Sequence, residues 1–357
     1  MPNTSPSELL FYCRPGFETD LVNELVDKFE HSECAWHPVA TPQSGYVRMV
    51  IDNDLVANDV HKEVQLSSLV FARQMLVAFE PIVLDRNDRI TAIIDQIVAA
   101  GWSFEELWQE SPDTNDGKGL AGLKKSLQRP LESTLKKRQA LRRKAGKRRL
   151  HLFWSSGDTV QVAMSFPQNR SEWPNGIKHL RSPSRAPSRS TLKLEEAWHT
   201  FIPSDKWERR LNAGMQGADL GAAPGGWTYQ LVQQGMYVYA IDNGPMSEEL
   251  MRTGQIEHLR EDGFTWSPPY PLDWLVCDIV DRPIRVSEMV ERWLVNRWCR
   301  HAIFNLKLPM KKRWQEVKRC LEYLEQRLSD ENIEHECLAR HLYHDREEIT
   351  VYIRLKE

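Results

Sequence analysis

The chain has 357 residues, 41% of them hydrophobic and 27% charged, a composition that excludes a disordered polymer and leaves room for two or three domains. The net charge of −3 gives no whole-molecule attraction to nucleic acid, and no apolar run approaches the roughly 18 residues that span a bilayer, so no membrane partner is expected. The six cysteines (Cys13, Cys34, Cys277, Cys299, Cys320, Cys337) are scattered without a Cys-x-x-Cys pair and the chain starts without an apolar leader pattern, so neither a disulfide framework nor a metal is expected and the cytoplasm is the expected address.

Residues 9–12 form a short apolar run, after which Pro15 and Gly16 turn the chain. Leu21, Val22, Leu25, Val26 and Phe29 then recur at helical spacing. Strands are expected at 46–51 and 73–79 with a helix at 54–64 between them, which makes residues 1–80 a small α/β module. In a second module, 81–168, a helix at 88–100 precedes a polar, basic stretch, and strands at 150–154 and 160–165 pair around Ser156-Gly157-Asp158. Pro167, Pro174, Pro183 and Pro187 cannot sustain a helix or a central strand, so 169–186 reads as a linker; its Arg170, Lys178, Arg181 and Arg185 could face a polyanion.

Beyond it, 187–357 is regular. A helix at 189–201 leads to a strand at 217–220, a Gly-rich loop and a helix from Trp227, then strands at 237–241 and 274–277. A helix at 286–300, a strand at 302–306, a helix at 311–328 and antiparallel strands at 333–343 and 348–355 complete the chain. Repeated βα units ending in a hairpin predict a Rossmann-like, doubly wound and mostly parallel sheet.

The loop at 219–227 reads Asp-Leu-Gly-Ala-Ala-Pro-Gly-Gly-Trp. Gly221, Gly225 and Gly226 allow a sharp turn and close approach of a ligand, although an ordinary β–α turn uses glycine too. Asp219 ends the strand before the loop and Asp242 ends the next strand, about where an acidic residue meets ribose hydroxyls. A dehydrogenase would show Gly-x-Gly-x-x-Gly here to seat pyrophosphate; this loop has Pro224 and lacks that spacing. A phosphate-free cofactor with a sulfonium and a ribose, S-adenosylmethionine, fits better. Its candidate ligands are Asp219, Gly221, Ala223, Pro224, Gly225, Gly226, Trp227 and Asp242. Asp262, in Glu261-Asp262-Gly263-Phe264, suits an adenine amino group or simply forms a turn. Ser267-Pro268-Pro269-Tyr270 is similar to the Asp/Asn-Pro-Pro-Tyr motif of amino-methyltransferases, but it precedes the 274–277 strand instead of following it and is read as a loop.

Asp278 and Lys307 each end a strand and so could line one crevice, while Lys311, Lys312 and Arg313 nearby suit a plain solvated strand end. The strings at 188–195, 219–227, 277–278, 305–307 and 346–349 occur in the order of the FtsJ-like RNA ribose 2′-O-methyltransferases, and the chain resembles that family. The resemblance implies a catalytic tetrad of Lys193, Asp278, Lys307 and Glu348, with Ser190 and Asp278 joining the cofactor set. More specific strings at 12–18, 186–190, 304–312 and 342–348 extend the likeness over nearly the whole chain, most weakly at 103–147. They imply a cytidine of 23S ribosomal RNA as acceptor, a ferredoxin-like first module and an RNA-binding THUMP-type second module; a monomer is expected, although the residues do not determine the oligomeric state. The chain departs from the family at Ile279-Val280-Asp281, where Met-Ala-Pro is common, so the pocket floor is not transferable. Lys307 would act as the base, or at least the polarising group, for the 2′-hydroxyl; with a reference pKa of about 10.4, a base there needs burial or the neighbouring Lys193 to lower it, and Asp278 and Glu348 oppose this. Glu347 and Glu348 are adjacent, and strand alternation lets only one face the crevice.

Thirteen Lys and Arg residues lie between Lys118 and Arg149 against one acid, Glu132, leaving the rest of the chain at about −15. Solvated helical faces normally interleave acids, so this stretch is expected to bind RNA phosphates through Lys136, Lys137, Arg138, Arg142, Arg143 and Lys144. Two rival readings stand beside the methyltransferase. One is a non-catalytic RNA-binding factor on the same fold; the other is a nicotinamide-dependent dehydrogenase, which the loop spacing disfavours.

Overall fold

The apolar runs of the sequence pair into two sheets, one in each of two units that part between Lys178 and His179. The computed structural model describes residues 4–52 and 57–356. The first unit contains β1 (Glu8–Tyr12), β2 (Trp36–Ala40), β3 (Tyr46–Ile51), β4 (Gln74–Ala78), β5 (Ile82–Val83), β6 (Glu106–Glu110), β7 (Arg149–Trp154) and β8 (Thr159–Ser165). Their order is β2-β3-β1-β4-β8-β7-β6, with β5 beside β8.

The two N-terminal modules are therefore joined in one sheet. β4 and β8 pair antiparallel through Val77↔Met164 and Ala78↔Ala163, and Leu10, Tyr12, Leu76, Phe153 and Ala163 pack across the join. Strand pairing of this range leaves no local signal in the sequence. The strands absent from the sequence reading include β2 and β6, at the two ends of the sheet. Trp-His-Pro-Val-Ala and Glu-Leu-Trp-Gln-Glu carry the proline and charges that edge strands tolerate. The basic stretch contains a further helix, Ala121–Lys137, which buries only Leu131 and Leu135. Of the helix expected at 54–64, Ala57–Glu63 is helical and 54–56 lie outside the described residues.

Residues 169–178, read from their prolines as linker, belong to the first unit. Proline blocks regular pairing there, but side chains replace it. The buried Asn169 accepts from the Leu66 N–H at 2.6 Å and donates to the carbonyls of His61 and Val64, and the Asn175 N–H donates to Glu110 Oε1 at 2.6 Å.

The second unit contains β9 (Gln216–Leu220), β10 (Tyr237–Ile241), β11 (Ile256–Leu259), β12 (Leu272–Cys277), β13 (Cys299–Lys307), β14 (His335–Arg340) and β15 (Glu348–Leu355). The order is β11-β10-β9-β12-β13-β15-β14. β9 to β13 are parallel, and β15 inserts antiparallel between β13 and β14. The chain leaves β9 in one direction through β10 and β11 and returns to its other side as β12. That reversal opens the crevice at the C-terminal ends of β9 and β12 where doubly wound sheets bind ligands. A core of Trp198, Trp274, Leu231 and Tyr352 holds the sheet against its helices.

Candidate active site

β9 carries Asp219 to this switch point. The residue is 1% exposed; its Oδ2 accepts from the Thr228 hydroxyl at 2.6 Å and its Oδ1 has no partner among the described residues. Burial pushes the carboxyl pKa up to about 7 against the pull of Thr228, with Asp278 and Asp242 adding to the rise. Gly221 follows at φ +79°, where a Cβ would lie 2.6 Å from Ile279 Cγ1. At Gly226, the first residue of helix Gly226–Gln233, a Cβ would lie 2.1 Å from Ser190 Oγ and 2.3 Å from Ser188 Oγ. The two serine hydroxyls are hydrogen-bonded at 2.6 Å, and Trp227 Nε1 donates to the Ser190 carbonyl. Ser190 and Trp227 thus clamp the loop to the start of helix Thr191–Phe201.

Asp242, just past β10, shapes the same loop. Its Oδ2 accepts from the Ala223 N–H at 3.0 Å and its Oδ1 from the Gly244 N–H at 2.7 Å, while the Pro224 carbonyl accepts from the Ser247 N–H. Gly225 packs against Leu250 and Met246. Asp262 forms a turn by accepting from the Phe264 N–H at 2.9 Å, and the adjacent Gly263 packs on Leu220 and Ile279 at the crevice. Turn former and crevice neighbour are therefore both true of that segment. Asp219, Asp242 and Asp278 line the ends of three adjacent strands, an acidic frame with one unspent buried acceptor on Asp219. A cationic, hydroxyl-bearing ligand fits that frame; a pyrophosphate does not.

Four elements bring the expected tetrad together. Lys193 comes from helix Thr191–Phe201, Asp278 follows β12, Lys307 ends β13 and Glu348 begins β15. Lys193 Nζ lies 3.0 Å from Asp278 Oδ2 and 2.5 Å from Glu348 Oε1. Lys307 Nζ lies 2.5 Å from Asp278 Oδ1 and bonds Glu348 Oε2. Cations and carboxylates alternate, and no side chain of the four is more than 20% exposed. Burial acts against the Lys193 charge, but Asp278 and Glu348 outweigh it and its pKa is raised. Burial likewise opposes ionisation of Asp278, yet Lys307 and Lys193 hold its carboxyl below the usual range. Glu347 lies outside this cluster and pairs with Arg313 at 2.7 Å on the exposed side. Asn305, not singled out from the sequence, donates to Asp278 Oδ1 at 3.0 Å. Its signal was period two: it precedes Lys307 by two residues and shares its face of β13.

Residues 7–76 match the RlmM ferredoxin-like domain, 88–166 match the family described as ribosomal RNA large subunit methyltransferase M, N-terminal, and 186–303 match the FtsJ-like methyltransferase family. The chain is similar to ribosomal RNA large subunit methyltransferase M of Chromohalobacter salexigens, with 64% identity over 351 residues and 98% of each chain covered. It is also similar to the protein of that name from Marinomonas sp., with 45% identity over 348 residues covering 98% of this chain and 99% of the other. The chain belongs to the ribosomal RNA large subunit methyltransferase M family. The expected ferredoxin-like and Rossmann-like architecture is that of its domains. The FtsJ-like match includes Lys193 and Asp278 and stops short of Lys307 and Glu348, so their place beside the first two rests on geometry. Among solved structures, TrmN from Thermus thermophilus is 14% identical, with 98% of this chain and 99% of that chain covered at a TM-score of 0.36, too distant to carry a functional argument.

In the first unit, the fold spends several of the thirteen clustered cations on itself. Arg149 is buried, bonds Glu106 at 2.7 Å and lies 3.4 Å over the Trp108 ring. Arg148 donates to the Ala145 carbonyl and Ser103 Oγ. Lys124 donates to Ser111 Oγ at 2.6 Å, and burial lowers its pKa. Lys136, Lys137 and Arg138 at the end of helix Ala121–Lys137, with Arg142, Arg143 and Lys144 just beyond it, remain exposed. Among the described residues no His, Cys, Asp and Glu group could hold a metal, and no helix is long and apolar enough to cross a membrane.

Proposed function

We propose that the chain uses S-adenosylmethionine to methylate the ribose 2′-hydroxyl of a cytidine in 23S ribosomal RNA. The observation that carries this reading is the alternating Lys193–Asp278–Lys307–Glu348 cluster at the crevice end, beside the acid-framed loop. Family membership supports ribosomal RNA as the acceptor, and a lysine held between two carboxylates suits a hydroxyl acceptor.

When bound, S-adenosylmethionine supplies an electrophilic methyl group on a sulfonium. Asp219 offers its buried acceptor oxygen to that cation-bearing ligand, Asp242 its carboxylate to the ribose diol, and Asp262 its acceptor to the adenine amino group. Ser190, Gly221, Ala223, Pro224, Gly225, Gly226 and Trp227 shape the cradle. Lys307, in its neutral form, would take the 2′-hydroxyl proton on Nζ when that oxygen is methylated. Asp278 and Glu348 receive the ammonium so produced, and Lys193 remains a cation paired with both carboxylates. Residues 81–168 serve as a THUMP-type RNA-binding module, with the six exposed cations at 136–144 on RNA phosphates. We place the protein in the cytoplasm as a monomer.

The test is to incubate the protein with S-adenosylmethionine and 23S ribosomal RNA, free or in an assembling particle, and map alkali-resistant linkages. One modified cytidine is expected. A methyl on a base, or none on ribose, would overturn the proposal.

A further inference from the structure

Two rungs of the β13–β15 ladder face the same side of the sheet. In one, Lys307 stands opposite Glu348; in the other, Asn305 stands opposite Thr350, and both of those side chains are fully buried. Asn305 Nδ2 donates to Asp278 Oδ1, the oxygen that also receives Lys307. On its other side, Asn305 Oδ1 lies 2.8 Å from Thr350 Oγ1, which lies 2.9 Å from Asp345 Oδ2. That last oxygen also accepts from the Leu342 N–H at 3.0 Å.

Counting protons decides how this row is made. Turning the Asn305 amide over would set its carbonyl against the Asp278 carboxylate, so its oxygen must face Thr350 and contributes no proton. Thr350 brings one hydrogen for two oxygen–oxygen contacts. The second hydrogen has to come from Asp345. An oxygen that accepts from Leu342 and donates to Thr350 is the hydroxyl of a neutral carboxylic acid. The surroundings agree: burial raises the Asp345 pKa well above the carboxylate range, Glu348 and Glu196 add to the rise, and Lys193 opposes it. Glu196, on the helix that carries Lys193, fixes this segment by accepting from the N–H groups of Tyr343 and His344 at 2.9 Å each.

We propose that protonated Asp345 and Thr350 form a positioning relay that locks the Asn305 amide onto Asp278 and thereby sets the proton affinity of Lys307. This rests on the reading of Lys307 as the base. Lys307 must be neutral to take a proton, and in that state Asp278 Oδ1 has lost its charged donor. Asn305 still donates to that oxygen and so stabilises the neutral-lysine state. Without the relay, Asp278 holds the Lys307 proton more tightly. Lys307 is also faced by Glu348 and, through the shared carboxylates, by Lys193, while Asp219 acts on Asp278 from the end of β9. None of those groups is hydrogen-bonded to the Thr350 side chain, whose partners are Asn305 and Asp345.

The experiment compares Thr350→Val, which keeps shape and removes the hydroxyl, with Thr350→Ser, which restores it. Thr350→Val should lower kcat about tenfold near neutral pH, move the acid limb of the kcat profile about one unit higher and leave KM for S-adenosylmethionine within twofold. Thr350→Ser should return the limb to its wild-type position. An unmoved limb in Thr350→Val would overturn the relay, even where kcat falls. A second measurement is independent of turnover and so separates this inference from the proposed function. Well above pH 7, where Asp219 is ionised, the infrared spectrum should contain a carboxylic-acid carbonyl band that Asp345→Asn removes; a spectrum lacking that band would overturn it.

Discussion

Lys307 and Glu348 are the last pair in register on the antiparallel β13–β15 ladder, so a strand end and a strand start separated by 41 residues meet as one ion pair. Glu347, one residue earlier, faces the other way toward Arg313. Replacing Glu348 by Gln leaves Lys193 and Lys307 sharing one carboxylate and should lower turnover on the order of 10²-fold. Glu347→Gln removes only an exposed pair and should leave turnover within twofold and stability within about 1 kcal/mol. Steady-state assays of the two variants side by side check the assignment; equal losses would contradict it.

Lys307→Ala should abolish methyl transfer while S-adenosylmethionine binds within a few-fold of wild type, because the lysine is outside the loop at 219–227. Calorimetric titration together with single-turnover methylation separates the two effects. Turnover in the variant would remove Lys307 from the role of base.

The carboxyl of Asp219 has a folded-state pKa raised to about 7 from the ordinary value of about 3.9. The sign follows from linkage. The folded state binds the extra proton, so this group's contribution to stability is fully present below pH about 4 and is lost as pH rises through about 7. Asp219→Asn cannot ionise and escapes that loss. Relative to wild type, the variant should gain stability between pH 5 and pH 8, by roughly 3 kcal/mol. Urea unfolding at both pH values measures it, and parallel pH dependences would show that Asp219 ionises freely.

Charge reversal at Arg142, Arg143 and Lys144 should weaken RNA binding and reduce the slope of log affinity against log salt by about 2 to 3. Reversal at Arg149 would instead unfold its surroundings, since that side chain is buried between Glu106 and Trp108. Binding titrations at several salt concentrations, with thermal melts of each variant, distinguish the two classes. An unchanged slope in the triple variant would place RNA elsewhere.

Local pattern carried much of this protein. The βα alternation of the second unit, the glycine loop after Asp219 and the terminal antiparallel strands follow from periodicities of two and 3.6 and from glycine placement, all of which act over a few residues. The edge strands β2 and β6 escaped because weakly buried strands do not show that period. Contacts between distant segments decided the rest. Only the fold placed β15 between β13 and β14, which sets Glu348 opposite Lys307 and Thr350 opposite Asn305. Only it paired β4 with β8 to make one sheet of two modules, and buried Arg149 while leaving Arg143 in solvent. The sequence by itself determined which chemical groups the site contains, because residue types and local turns are written there directly. Their pairing and protonation were decided by tertiary structure, because both depend on which distant strands share a ladder and how much water the ladder excludes.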